Sequence, residues 1–384
     1  MRGHIRQRGK KWYIVISLGK DEDGKRKQKW FSGYNSQGEA EDDLPYKLLD
    51  AQDGLYMNNS DISLKNYLLN VWLVAIQPDI RLKTYKFYKY NVEHAIIPVI
   101  GNIRLSKLKP LDVKRMINHY LKEGTVSHTT IRHYYRTLSV ALNKAVQWEI
   151  INKNPCKRIK PPAVDTPEMK ILTARQVNTL LEYTIHSKFK VMYIPILLAA
   201  GCGLRRGEIL GLKWKNIDFQ NHIMHVRHNL QYIDREFILA DPKTEKSKRD
   251  IPLPDPIVSI LQEHKSDQEA IKARLGIKDF DKKDAFVCAW KDGANIIPDY
   301  LDKTLNKILK QCKLPHVRFH DLRHTYAALM LGSGVRIKEL SDLLGHSKTS
   351  VTMDIYAHSM PSSKKEAVEK MGNIFFLKNL KKAE

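Results

Sequence analysis

A chain of 384 residues is longer than one hydrophobic core organises, so two or three domains are expected. Lys and Arg total 65 against 42 Asp and Glu, a formal charge of +23, and the hydrophobic fraction of 42% is ordinary for soluble protein. No apolar run approaches the roughly 20 residues of a bilayer span, and the basic start MRGHIRQRGKKWY lacks the apolar core of a secretory signal. Membrane insertion and export are therefore excluded, and a cytoplasmic protein is expected. The positive surplus suits a nucleic-acid partner, though a merely lysine-rich surface would also produce it. Cys156, Cys202, Cys288 and Cys312 lie far apart and form no C-x-x-C, which argues against a disulfide framework or a thiolate zinc site.

The first stretch reads as β-structure. Gly3 to Arg8, Trp12 to Leu18 and Arg26 to Phe31 are predicted strands: Trp12, Ile14, Ile16 and Leu18 alternate with Tyr13, Val15 and Ser17. Asp23-Gly24 supplies a turn. A helix follows, opened by Ser36 as cap with Glu39 three residues on, and Pro45 should kink it or end it early. Lys25, Lys27 and Lys29 share one face of the third strand, and Arg6 and Arg8 share a face of the first. A small basic sheet of this kind can enter the DNA major groove, which makes Arg6, Arg8, Lys27 and Lys29 candidate DNA contacts. The plainer reading is a hairpin edge kept soluble by lysine.

From Ser63 to about Lys157 the period becomes helical. Leu64, Tyr67, Leu68, Val71 and Trp72, then Leu111, Met116, Ile117 and Tyr120, then Ile131, Tyr134, Tyr135, Leu138, Leu142 and Val146 are predicted core positions of an all-helical module. Arg81, Lys83, Lys86, Lys89, Arg132 and Arg136 lie between the apolar stripes and carry no specific assignment. Pro155, Pro161, Pro162 and Pro167 mark a stiff linker, and a third domain runs from Lys170.

That domain carries the candidate chemistry. Ala200 to Leu210, AGCGLRRGEIL, ends an apolar helix at a glycine-rich turn with arginine beside it, and it has neither the Gly-Lys-Ser/Thr of a P-loop nor the spacing of G-x-G-x-x-G. Phe319-His320-Asp321-Leu322-Arg323-His324-Thr325 begins a helix that puts His320 and Arg323 on one face. His320 and His324 stand at metal-ligand spacing, but no Glu follows His320 and no third ligand is evident, so no metal is assigned. Gly345 is a predicted left-handed cap, followed by His346 and, ten residues later, Tyr356.

These residues resemble the tyrosine recombinase (phage and conjugative-transposon integrase) family. Gly203-Leu204-Arg205-Arg206-Gly207-Glu208 is similar to its first-arginine box, His320 to Thr325 to its H-x-x-R box, and Leu343-Leu344-Gly345-His346 with Tyr356 to its third box. Three boxes in order are far more specific than any one. The resemblance implies that Arg205 and Arg323 hold the scissile phosphate, that His320 helps deprotonate the nucleophile Tyr356, and that His346 adds a hydrogen bond. Asp241 to Leu253 resembles the family's lysine hairpin, making Lys243 the general acid, with Lys246 and Lys248 as rivals. Glu208 and Asp321 would support the arginine and histidine.

The resemblance also implies a multidomain α+β fold: an arm-type DNA-binding domain over 1–58 (three-stranded sheet plus helix), an all-helical core-binding domain over 59–160, and a mostly helical catalytic domain with a small β-sheet over 161–384. The implied activity is cutting and rejoining DNA through a 3′-phosphotyrosine to integrate or excise a mobile element, with no cofactor. Double-stranded DNA at attachment sites, a homotetramer on DNA, and excisionase and DNA-bending accessory proteins are the implied partners. Ile374-Phe375-Phe376-Leu377 is expected to dock on a neighbouring subunit. Two alternatives stay open: a catalytically silent DNA-binding regulator of the same fold, and a type IB topoisomerase-like enzyme.

Overall fold

The computed structural model describes residues 2–20, 26–52, 62–164, 170–241, 247–276, 284–346 and 353. The chain divides into two compact units, Met1–Thr166 and Pro167–Glu384.

The first unit begins with an antiparallel sheet of β1 (Arg2–Arg8), β2 (Lys11–Lys20) and β3 (Arg26–Tyr34), with β2 central. A two-residue turn at Gly9-Lys10 joins β1 to β2, using a positive φ of 68° at the glycine. The Asp23-Gly24 turn falls outside the described residues. The cross-strand row Ile5, Ile14 and Phe31 packs with Ile16 under Ala40, Leu44 and Leu48 of α1 (Gln37–Gln52). The Ser36 hydroxyl caps α1 by accepting from the Glu39 N–H (3.2 Å), and the Glu39 carboxylate reaches back to the Asn35 N–H (2.8 Å). Helix α1 does not end at Pro45 but continues to Gln52. Pro45 is exposed, so the carbonyl deprived of its donor meets water, while Leu44 and Leu48 on either side anchor both halves of the helix to the sheet.

A separate core organises the helices of this unit. The chain passes from α2 (Leu64–Asn66) through a wide π turn (Tyr67–Trp72) into α3 (Leu73–Ile76), and from α4 (Leu82–Asn91) through another (Val92–Ile96) into α5 (Ile97–Ile100). These pack with α6 (Pro110–Glu123) and α7 (His128–Gln147) around Tyr67, Trp72, Ile96, Met116 and Leu138. Leu111 does not join them: it is 66% exposed, and Val113 takes the inward position on α6. Pro155 is likewise no linker residue. It is buried at the start of a short 3-10 turn (Pro155–Arg158) whose Cys156 belongs to the core.

The second unit is mostly helical: α8 (Ala174–His186), α9 (Tyr193–Cys202), α10 (Arg206–Leu210), α11 (Asp255–Arg274), α12 (Pro298–Gln311), α13 (Asp321–Gly332) and α14 (Ile337–Leu344). Between α10 and α11 run β4 (Ile217–Asp218), β5 (Ile223–Val226), β6 (Asn229–Ile233), β7 (Glu236–Ala240) and β8 (Arg249–Pro252). Strands β4, β5 and β8 form one antiparallel sheet. Strands β6 and β7 form a hairpin whose turn residues, Asp234 and Arg235, both have positive φ, as a tight two-residue turn demands. Of the segment from Asp241 to Leu253, residues 242–246 lie outside the described residues, and its end forms β8, which pairs with β5. All four cysteines are free thiols. Among the described residues, no helix is long and apolar enough to cross a membrane.

Candidate active site

Two glycines decide where Arg205 stands. Helix α9, buried along nearly its whole length, stops at Gly203 with φ of 68°. A Cβ there would lie 2.5 Å from the Tyr326 ring on α13 and 2.9 Å from Leu344 on α14. Only glycine lets the end of α9 abut both helices. The chain then reverses, and Arg205 becomes the residue that precedes α10. Gly207 seats α10 on β6 just as closely, since a Cβ would fall 1.8 Å from Asn229 Oδ1.

Glu208 is the hub of an arginine cluster. Its carboxylate, 4% exposed, accepts from Arg205 Nη1 (2.7 Å) and the Arg205 N–H (3.0 Å), and from Arg249 Nη1 and Nη2 (3.2 and 2.9 Å). Arg323 Nη1 lies 3.9 Å away. Burial by itself would raise the Glu208 pKa, but the Arg249 bond and the charges of Arg249, Arg205 and Arg323 outweigh it and hold the carboxyl at about 2. Three guanidiniums thus share one carboxylate. The surplus charge is what an anion site requires.

The same arginines meet the end of α14. Arg249 Nε donates to the Leu343 carbonyl (2.6 Å), Arg323 Nη2 to Leu344 (2.5 Å) and Arg205 Nη2 to Gly345 (3.2 Å). Arg323 Nη1 also donates to the Gly203 carbonyl (2.7 Å). The last carbonyls of a helix have no partners within it and carry the negative end of its dipole, so they are natural anchors for cations. Burial, together with Arg205 and Arg249, pushes the Arg323 pKa down to about 9 against the pull of Glu208, and the group stays cationic at neutral pH.

His320 directly precedes α13, and His346 directly follows the left-handed cap at Gly345 (φ 64°). Burial first, then neighbouring His324, Arg323 and Arg205, push the His320 pKa to about 4. For His346 burial, Arg323 and Arg205 do the same, also to about 4. Both imidazoles are neutral at pH 7, so each presents one ring nitrogen that accepts a hydrogen bond and one that donates. Asp321 orders the turn that presents His320: its carboxylate accepts from the Arg318 N–H (2.8 Å), Nε (3.0 Å) and Nη2 (2.8 Å). The rings of His320 and His324 meet edge to face at 4.9 Å. His320 borders a cavity of about 540 Å³ that Arg206, His316 and Arg318 also line.

Sequence-predicted Arg205, Glu208, His320, Arg323 and His346 therefore come together. Lys243, Lys246 and Tyr356, like the tail Ile374 to Leu377, lie outside the described residues, and Lys248 is exposed. On the N-terminal sheet, Arg6 pairs with Tyr13 on the face away from α1, where its guanidinium lies 5.9 Å from the Trp30 ring; Arg8 shares that face. Lys29 pairs with Ile16 and so stands on the opposite, helix-covered face, exposed beside Phe31. The Lys27 side chain is outside the described residues. The expected basic surface is therefore split between two faces, because the strand register alternates.

Residues 170–363 match the phage integrase family, residues 66–121 a phage integrase N-terminal SAM-like domain, and residues 4–45 an arm DNA-binding domain. The chain is 31% identical to a tyrosine recombinase XerC-like protein of Caldanaerobacter subterraneus subsp. tengcongensis, over 96% of this chain and 97% of the relative. The chain belongs to the phage integrase family. It is a tyrosine recombinase. It is also 25% identical to the ICEBs1 integrase of Bacillus subtilis (80% of this chain, 82% of the relative). The fold resembles that of the Tn1549 transposon integrase solved with transposon right end DNA, with a TM-score of 0.68 and 24% identity over 81% of this chain and all of that one.

Arg249 is the member of the cluster that sequence reasoning missed. The signal was present: in Arg249-Asp250-Ile251-Pro252-Leu253, buried Ile251 and Leu253 set the inward phase of the strand, and Arg249 shares it. An arginine on an inward phase implies a buried carboxylate partner.

Proposed function

We propose that this tyrosine recombinase is a site-specific integrase that cuts and rejoins DNA at attachment sites to move a mobile element, with Tyr356 as nucleophile. The observation that carries this reading is the convergence of Arg205 and Arg323, from separate boxes, on the end of α14, beside two neutral imidazoles. A guanidinium fork matches two phosphate oxygens and keeps its charge, so two of them neutralise the charge that builds on the non-bridging oxygens as phosphorus becomes pentacoordinate. His320, accepting a hydrogen bond from the phenol, helps take its proton, which a free tyrosine of pKa about 10 would otherwise retain at pH 7. His346 donates to the phosphate. Lys243 protonates the departing 5′ oxygen. The product is a 3′-phosphotyrosine and a free 5′ hydroxyl. Attack by a 5′ hydroxyl of the partner duplex reverses the chemistry, so the phosphodiester energy is retained and neither ATP nor a metal ion is consumed.

Two duplexes, each cut twice, require four protomers, and a homotetramer on DNA is the acting species. We assign residues 1–58 to arm-site binding, 59–160 to the core site and 161–384 to catalysis. The protein would work in the bacterial cytoplasm, at the nucleoid, with excisionase and DNA-bending proteins setting direction.

A nicked suicide duplex carrying the element's own end tests the reading. Wild type should form a covalent protein–DNA adduct and Tyr356→Phe none. If wild type binds the duplex but forms no adduct, the chain is a DNA-binding regulator. Relaxation of supercoiled DNA without exchange between two supplied sites would make it a topoisomerase.

A further inference from the structure

We infer that Arg249 is a positioning residue for strand cleavage: it serves as the counter-ion of Glu208, so that Glu208 can orient Arg205 without cancelling its charge. The inference rests on the recombinase reading and extends it to a residue outside the three boxes.

Arg249 stands on the buried face of β8, cross-strand from Val226 and in line with Ile251. It is 8% exposed, and its guanidinium is committed: Nε to Leu343, Nη1 to Glu208 and the Ser247 carbonyl, Nη2 to Glu208. What sets it apart from Arg323 is the two-pronged bond to Glu208, since Arg323 Nη1 stands 3.9 Å from that carboxylate. Stability alone does not account for the pair, because replacing Arg249 and Glu208 together by apolar side chains is often neutral or stabilising. Its contacts instead point to the reacting groups. The two-pronged pairing with Glu208 satisfies that carboxylate's charge, while the single bond from Glu208 to Arg205 Nη1 aims the Arg205 fork. The Nε bond holds the end of α14, three residues before His346.

Removing Arg249 alone leaves Glu208 with a full charge that only Arg205 and Arg323 can satisfy. Both would be drawn off the phosphate. Removing the carboxylate charge as well should return them. Single-turnover cleavage of the mapped site in a nicked duplex, at saturating protein, reads this directly. Arg249→Met should cleave roughly 30-fold more slowly than wild type, in the range expected for one misplaced oxyanion donor. The double variant Glu208→Gln/Arg249→Met should cleave at least about fivefold faster than Arg249→Met, a non-additivity that contacting groups produce. On a duplex with a methylphosphonate at the scissile position, which lacks the anionic oxygen that Arg205 neutralises, the Arg249→Met deficit should shrink to within about threefold.

An equal deficit on phosphate and methylphosphonate, or a double variant slower than Arg249→Met, would overturn the assignment and leave a purely structural arginine. Arg249→Lys covers the case in which the methionine variant does not fold. It keeps charge and stem but loses the fork, and should show a smaller deficit with the same recovery on methylphosphonate; an equal loss on both duplexes overturns the assignment there too. Absence of any adduct with wild type would instead sink the recombinase reading, and this assignment with it.

Discussion

At the scale of single residues, the site is governed by which groups are charged. His320 and His346, held near pKa 4 by burial and arginine, are neutral where an ordinary histidine near 6.5 would be half protonated. The apparent second-order rate of cleavage reports the free enzyme. It should stay flat as pH falls from 7 to about 5 and drop toward pH 4; a break near 6.5 would show that the imidazoles are not depressed. The stability sign follows from the same shift. Between pH 6.5 and about 4 the unfolded chain binds protons that the folded site refuses, so these histidines make the fold less stable as pH falls through that window. Glu208 adds the same slope lower down. Its folded pKa of about 2 against 4.5 means that its contribution is fully present above pH 4.5 and is lost as pH falls to about 2.

At the scale of elements, close packing at glycine aligns the boxes. Gly203 combines positive φ with a Cβ position already filled by Tyr326 and Leu344. Gly203→Ala should therefore cost about 2 to 4 kcal/mol, the sum of left-handed strain and overpacking. It should also slow cleavage, because α9 would be pushed from α13 and α14 and the Arg323 bond to the Gly203 carbonyl disturbed. Thermal melts and suicide-substrate rates check both, and a variant as stable as wild type would show that α9 does not abut those helices. Helix α1 carries the opposite lesson. Its local breaker, Pro45, is overridden because Leu44 and Leu48 are fixed by the sheet, a tertiary contact that propensity does not contain.

At the scale of the whole molecule, a formal charge of +23 sets the terms of DNA association. Affinity should fall steeply with salt, since each phosphate neutralised releases about 0.9 counterion. If Arg6 and Arg8 contact arm-site phosphates from the sheet face away from α1, each change to alanine should reduce the slope of log K against log salt by about 1. Binding titrations of the full chain on arm-site duplex measure this, and unchanged slopes would remove both residues from the DNA surface.

Local pattern settled much of this protein. Period-two alternation marked the three N-terminal strands, helical spacing marked the cores of α2, α6 and α7, and three boxes in order exposed the family and placed Arg205, His320, Arg323 and His346. Those signals are carried by neighbours in the chain. What folding alone decided is what depends on distant partners: that Arg249 faces Glu208, that three arginines share the carbonyls of residues 343–345, that Lys29 and Arg6 stand on opposite faces, and that Leu111 faces water. Charge–carboxylate pairing and strand register act between residues far apart in the chain, and no local period records them.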